Sequence, residues 1–213
     1  MSAKGRTLNK KEMKKLIFVL FTSMLFLTSC NATNAINSDR NTIKGGGNIV
    51  SQERTASTFS GITINGVANV NIYPGEDYKV VVTTDKNLQN YVSIEVKNNV
   101  LYVNTKDNLK PTKLTVDVHL PELQSINLAG VSNVTVSDGN ASNLEITSSG
   151  VGNIYAQNFQ VQNVVITQSG VGNASVWATN SLSGTLSGVG NIRYKGNPVV
   201  GVKVSGVGNV KNL

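Results

Sequence analysis

The sequence predicts an all-β protein: a single-domain β-helix, or β-solenoid, with coils of about 18–20 residues. Three observations predict it. The five residues Ser-Gly-Val-Gly-Asn stand at 149–153, 169–173, 187–191 and 205–209. Apolar residues alternate at period two through most of the chain after residue 58, the spacing of a strand with one buried face. No apolar stripe of helical period follows residue 30, and only Asn87–Tyr91 offers one short helical turn.

The first segment is a targeting signal. Lys4, Arg6, Lys10, Lys11, Lys14 and Lys15 crowd the first fifteen residues, with Glu12 the one acid among them. Leu16–Leu27 then runs for twelve residues without a charge. A basic stretch followed by a short apolar one is a secretory signal, and twelve residues fall short of the roughly 20 that span a bilayer. Residues 1–29 therefore read as a signal peptide. Met13 would itself start a compact signal, so 1–12 also fits an extension from an upstream start codon.

The signal ends in Leu27-Thr28-Ser29-Cys30, which resembles the lipobox of bacterial lipoproteins. The resemblance implies cleavage before Cys30, acylation of its thiol, and a membrane anchor. Two or more acyl chains would hold the protein stably. Asn31, rather than Asp, follows the Cys, which implies the outer membrane of the cell envelope. Cys30 is the single Cys, so no internal disulfide forms.

The formal charge of +7 does not mark a nucleic-acid binder. From Cys30 onward thirteen bases stand against eleven acids, and no basic stripe tracks a phosphate backbone. Residues 30–57, rich in Asn, Ser, Thr and Gly, read as the lipidated Cys and a flexible tether. Gly45-Gly46-Gly47 lacks the strand, helix and following Lys of a phosphate loop and reads as linker.

Strands begin at residue 58. Ile62 alternates with Ile64, Val70 with Ile72, Val80 with Val82, Ile94 with Val96, and Leu101 with Val103. Pro74-Gly75-Glu76-Asp77 is a turn. Leu114, Val116, Val118 and Leu120 give the cleanest alternation, closed by Pro121. From residue 123 the chain repeats. Gly130, Gly150, Gly170, Gly188 and Gly206 are spaced by 20, 20, 18 and 18, each followed by Val and, three positions on, by Asn133, Asn153, Asn173, Asn191 and Asn209. Gly66-Val67-Ala68-Asn69 is an earlier copy.

Such a period suits two or three short strands per coil. Stacked coils stand about 4.8 Å apart, so the five form a segment of roughly 24 Å. The Gly residues are expected to turn the chain at positive φ, the Val residues to stack inside, and the Asn residues to form a hydrogen-bonded ladder at one corner. Right-handed winding follows from the handedness of crossovers between parallel strands.

The order of these blocks resembles a known family. Phe59-Ser-Gly-Ile-Thr-Ile leads through Val70-Asn-Ile-Tyr, Asp77-Tyr-Lys-Val-Val-Val and Ile94-Glu-Val-Lys-Asn-Asn-Val-Leu-Tyr-Val. Leu114-Thr-Val-Asp-Val-His-Leu-Pro-Glu-Leu and the Ser-Gly-Val-Gly-Asn copies follow. Over residues 58–213 this is similar to the "putative auto-transporter adhesin, head GIN domain" family. The resemblance implies a β-helical domain on an exported protein and brings no catalytic residues with it.

Little chemistry stands out. Asp138 and Glu145 are the only acids of the repeat and occupy different coil positions. His119, the only His, is out of phase with its apolar neighbours and faces outward. The recurring polar residue is Asn rather than Asp, so calcium is not indicated. The Ser149, Ser169, Ser187 and Ser205 column has no base beside it. No metal or cofactor is called for. Tyr155 and Trp177 fall on one face of adjacent coils and Tyr194 on the other, so Tyr155 and Trp177 are the candidate ligand contacts.

The functional expectation is a non-catalytic, lipid-anchored surface binding module. Its partners would be the membrane, through Cys30, and a glycan or another envelope component. A periplasm-facing structural lipoprotein is the alternative, and a carbohydrate-active enzyme the third reading.

Overall fold

The structure, a computed structural model, describes residues 42–213. The signal segment 1–29, Cys30 and the tether up to residue 41 lie outside the described residues. Seventeen strands and one 3₁₀ turn (Lys86–Tyr91) make the described domain all-β. No helix among the described residues is long and apolar enough to cross a membrane.

The chain forms two parallel stacks. The first runs through β7 (Val100–Thr105), β3 (Gly61–Ile64), β10 (Ser125–Leu128), β12 (Gly139–Ser148), β13 (Ile154–Gln168), β14 (Ala174–Leu186) and β16 (Val199–Val204). The second runs through β9 (Leu114–Leu120), β4 (Asn69–Pro74), β11 (Val134–Val136), the first residues of β13 and β14, β15 (Ile192–Lys195) and β17 (Val210–Asn212). Strands β13 and β14 are long enough to serve both stacks, so the sheet bends around one continuous core and nearly closes on itself, like a barrel.

Register follows the spacing of the repeat. Ile62, Ile126, Ile146 and Ile166 pair in succession and are all buried. Val70, Val134, Ile154, Ala174 and Ile192 do the same in the second stack. Each apolar residue therefore packs on its equivalent one strand away, and no repeat closes its own core. The shortening from 20 to 18 is local. Ala156 pairs with Val176, but Gln160 pairs with Trp177, so Gln157, Asn158 and Phe159 form a bulge; a second shift, between the Val161–Ala178 and Asn163–Ser181 pairs, returns one residue and leaves the offset at 18. Phe159 fills the interior there, fully buried.

The stacking order departs from chain order. The winding that carries β3 and β4 lies between the later β7–β9 winding and β10–β11. Antiparallel strands cover the far side: β5 (Lys79–Asp85) on β9, β6 (Val92–Lys97) on β7, and β2 (Ile49–Arg54) on β5. These additions cover a stack edge that would otherwise present open hydrogen-bonding groups.

Part of the expected tether is ordered. Residues 42–57 belong to the domain: β1 (Ile43–Lys44) pairs in parallel with β8 (Leu109–Lys110), and β2 pairs with β5. Gly45-Gly46-Gly47 is no flexible linker. A Cβ at Gly45 would collide with the Asp85 carboxylate, the Gly46 N–H donates to Asn87 Oδ1 at 2.9 Å, and the Gly47 N–H donates to Asp85 Oδ1 at 2.7 Å. The Thr112 N–H donates to the other Asp85 oxygen at 2.8 Å. Gly45 is needed because the backbone lies directly on a side chain, and Gly47 because its φ is 80°.

Burial pushes the Asp85 carboxyl pKa up, but the Thr112 and Gly47 backbone donors outweigh it and hold the pKa below the usual carboxylate range. A lowered pKa means stability that is present above the unfolded value of about 3.9 and lost as pH falls through the folded one. Asp85→Asn, which turns one acceptor into a donor, is expected to lower the melting temperature at pH 7 and to flatten its decline in acid. Thermal unfolding followed between neutral pH and pH 2 checks both.

Candidate binding faces of the repeat

The Ser-Gly-Val-Gly-Asn corner is built on backbone contact. The Val151 N–H donates to the Gly130 carbonyl at 2.9 Å, the Val171 N–H to Gly150 at 3.0 Å, and the Val189 N–H to Gly170 at 3.0 Å. A Cβ on Gly150, Gly170, Gly188 or Gly206 would strike the carbonyl oxygen of the glycine one repeat earlier. These glycines do not hold the positive φ expected of them. That conformation falls on the second glycine of the motif, as at Gly172 with φ 149°. Its Cβ would also strike the Gly152 carbonyl.

Both glycines thus lie against the backbone of the repeat before, and the valine between them faces out. Val67, Val131, Val151, Val171, Val189 and Val207 form one column of parallel bridges, each between 45% and 71% exposed. This corrects the expectation that these valines stack inside. The flanking glycines hold the backbone against the preceding repeat, and the valine side chain projects to solvent despite its apolar character.

Asn residues flank the Val column. Asn133 Oδ1 accepts from both the backbone N–H and the side-chain amide of Asn153, each at 3.1 Å. Asn153 Oδ1 accepts the same pair from Asn173 at 2.9 and 3.2 Å, and Asn173 Oδ1 from Asn191 at 3.0 and 3.2 Å. The Asn209 N–H donates to Asn191 Oδ1 at 3.2 Å, and the Asn133 amide reaches Asn69 Oδ1 at 3.4 Å. Asn133, Asn153, Asn173 and Asn191 thus each accept a backbone donor at a corner where the regular ladder breaks.

Tyr155 and Trp177 both project from the outer side of the second stack. Tyr155 pairs with Ser175, and Trp177 stands two residues further along that strand, opposite Gln160 and Lys195. The Phe159 bulge separates the two rings along the strand. Tyr155 is 39% exposed. Trp177 is half-buried, with the Lys195 ammonium 3.7 Å from its ring centroid. Tyr194 points the other way and packs against the core.

The remaining titratable residues lie apart. His119 stacks on Tyr73, with ring centroids 4.6 Å apart, and its Nδ1 is 2.6 Å from Glu76. Asp138 sits in the turn between β11 and β12, whereas Glu145 lies within β12 opposite Ser125 and Val165. Glu145 shares an open groove with Glu122, Asn143 and Asn163. Glu122 lies 23 positions away in a turn and gave no sequence signal. Among the described residues, no group of three or more His, Cys, Asp or Glu is placed to hold a metal.

A family model described as putative auto-transporter adhesin, head GIN domain, matches residues 58–138 and 129–198. Comparison with curated proteins returned no match. Among solved structures, a putative adhesin from Bacteroides fragilis is 22% identical, with a TM-score of 0.56, covering 80% of this chain and 100% of its own. That likeness shows a shared fold. A putative lipid binding protein from Parabacteroides distasonis is 21% identical (TM-score 0.46, 80% of this chain and 99% of its own). A putative adhesin from Parabacteroides merdae is 25% identical (TM-score 0.37, 80% and 98%).

The corner geometry separates neighbours sharply. Gly172→Ala combines backbone strain with a backbone collision and is expected to destabilise the domain by about 3 kcal/mol or more, whereas Val171→Ala should cost less than about 1 kcal/mol. Urea unfolding of the two variants beside wild type measures the contrast.

Proposed function

The chain belongs to the putative auto-transporter adhesin, head GIN domain family, and on that premise we propose that it is a non-catalytic binding module of the cell envelope. In this reading the repeat winds as a right-handed β-helix with coils of 18–20 residues. A lipid on Cys30 anchors it to the outer membrane, and its repeated faces contact a glycan or another surface component. The lipobox-like Leu27-Thr28-Ser29-Cys30 supports the anchor. The in-register pairing at intervals of 20 and 18 supports the winding.

One observation carries the binding role. Six valines stand in a straight column, about half exposed, where a surface that served only solubility would carry polar residues. A rigid backbone holds them at strand spacing, so the face is preorganised and loses little entropy on binding an extended partner. The column is one residue wide. At about 4.8 Å per step it covers far less than the roughly 800 Å² per partner of a stable protein dimer. An extended surface or polymer suits it better than a second globular protein.

Protease treatment of intact cells tests the outward-facing role, with Cys30→Ala and lysed cells as controls. Wild type is expected to be cut on intact cells, while Cys30→Ala is lost from the membrane fraction. Protection of wild type until lysis would overturn surface exposure and leave the periplasm-facing reading.

A further inference from the structure

We propose that Tyr155, Arg193, Lys195 and Lys211 form a docking face for an acidic polysaccharide. This rests on the binding-module reading and names its ligand class. The four residues occupy two adjacent columns on the outer side of the second stack. In the first, Tyr155 pairs with Ser175, Ser175 with Arg193, and Arg193 with Lys211. In the second, Trp177 pairs with Lys195. From Tyr155 to Lys211 is three strand steps, about 14 Å.

Charge makes this face unlike the rest of the domain. No Asp or Glu occurs after Glu145, whereas Arg193, Lys195, Lys203 and Lys211 all do. The Lys–carboxylate ion pairs among the described residues join Lys79 to Glu53 and Lys97 to Glu95, both on other strands. Arg193 and Lys211 are directly opposed on neighbouring strands, an arrangement that costs stability unless an anion lies between them. Lys195, on the same strand as Arg193, leans toward β14. Its ammonium is held over the Trp177 ring, which fixes a third positive charge on the same face.

The chemistry selects the ligand. Arg193 offers a planar fork that fits a carboxylate through two hydrogen bonds. The exposed Tyr155 ring offers an apolar face and a hydroxyl to a sugar ring. Arg193 and Lys211, one strand step of about 4.8 Å apart, suit a linear polymer that carries one acid per sugar. Three cations are too few to neutralise a length of nucleic-acid backbone. A membrane surface fits less well, because the chain enters the domain at β1 beside β8, in the winding of β7 and β9. Strand β17 stands six strand steps beyond β9, about 29 Å away.

The test uses the full chain purified in detergent, with polygalacturonate as probe. Dextran, anionic phosphatidylglycerol vesicles and single-stranded DNA serve as comparators. Binding to polygalacturonate is expected to weaken with salt and to fall about tenfold or more in Arg193→Gln/Lys211→Gln. Lys97→Gln, a cation on β6, should leave it unchanged. Matching thermal unfolding curves would establish that the double variant is folded. Should that variant unfold, Lys195→Gln alone must still weaken binding several-fold. The proposal is overturned if polygalacturonate fails to bind, if the folded variants bind as wild type does, or if vesicles or DNA bind as tightly. Should polygalacturonate fail while wild type is still cut on intact cells, only this face is wrong and the surface-module reading stands.

Discussion

At the corner of every repeat, the α-carbon of one glycine lies against the carbonyl oxygen of the glycine one repeat earlier. That contact sets how closely successive windings approach. Because the backbones touch there, the valine N–H reaches the earlier carbonyl. The flanking strands then fall into register, and each buried isoleucine meets its equivalent. A methyl group at this point would push the windings apart and weaken two parallel ladders together, since each repeat has only its neighbours to close its core. The repeated spelling of the sequence is the trace of this constraint.

The same contact arranges the surface. Where the backbones of successive repeats touch, valine points outward and the Asn side chain takes over a hydrogen bond that the regular ladder would have made. The exposed Val column and the Asn ladder are therefore consequences of the packing. The cationic end of the second stack is laid on the same frame, so its charges are presented at fixed spacing.

Much of this could be read from the sequence, because register in a repeat is spelled by spacing. The Ile126, Ile146 and Ile166 column is an example. The orientation of Val151 and its equivalents could not be read that way. An apolar residue between two glycines gives no sign of which way it faces. The place of β3 and β4 between later windings was also hidden, since a long-range order of strands leaves no local signal. Gly45-Gly46-Gly47 has the composition of a linker, and only Asp85, about forty positions away, turns it into a docked segment. For the candidate contacts, the period placed Tyr155 and Trp177 on one face. The bulge at Phe159 then set Trp177 opposite Gln160 and Lys195. Arg193 and Lys211 gave no signal until pairing brought them together.

Pulsed dipolar spectroscopy on spin labels in the Val column tests the stacked, in-register corner most directly. Three doubly labelled proteins suffice, at Val207 with Val151, Val131 or Val67, positions already exposed to solvent. Narrow distributions lengthening in equal steps are expected, with backbone separations of about 14, 19 and 24 Å. Distances that fail to lengthen from one pair to the next, or that do so unevenly, would contradict it.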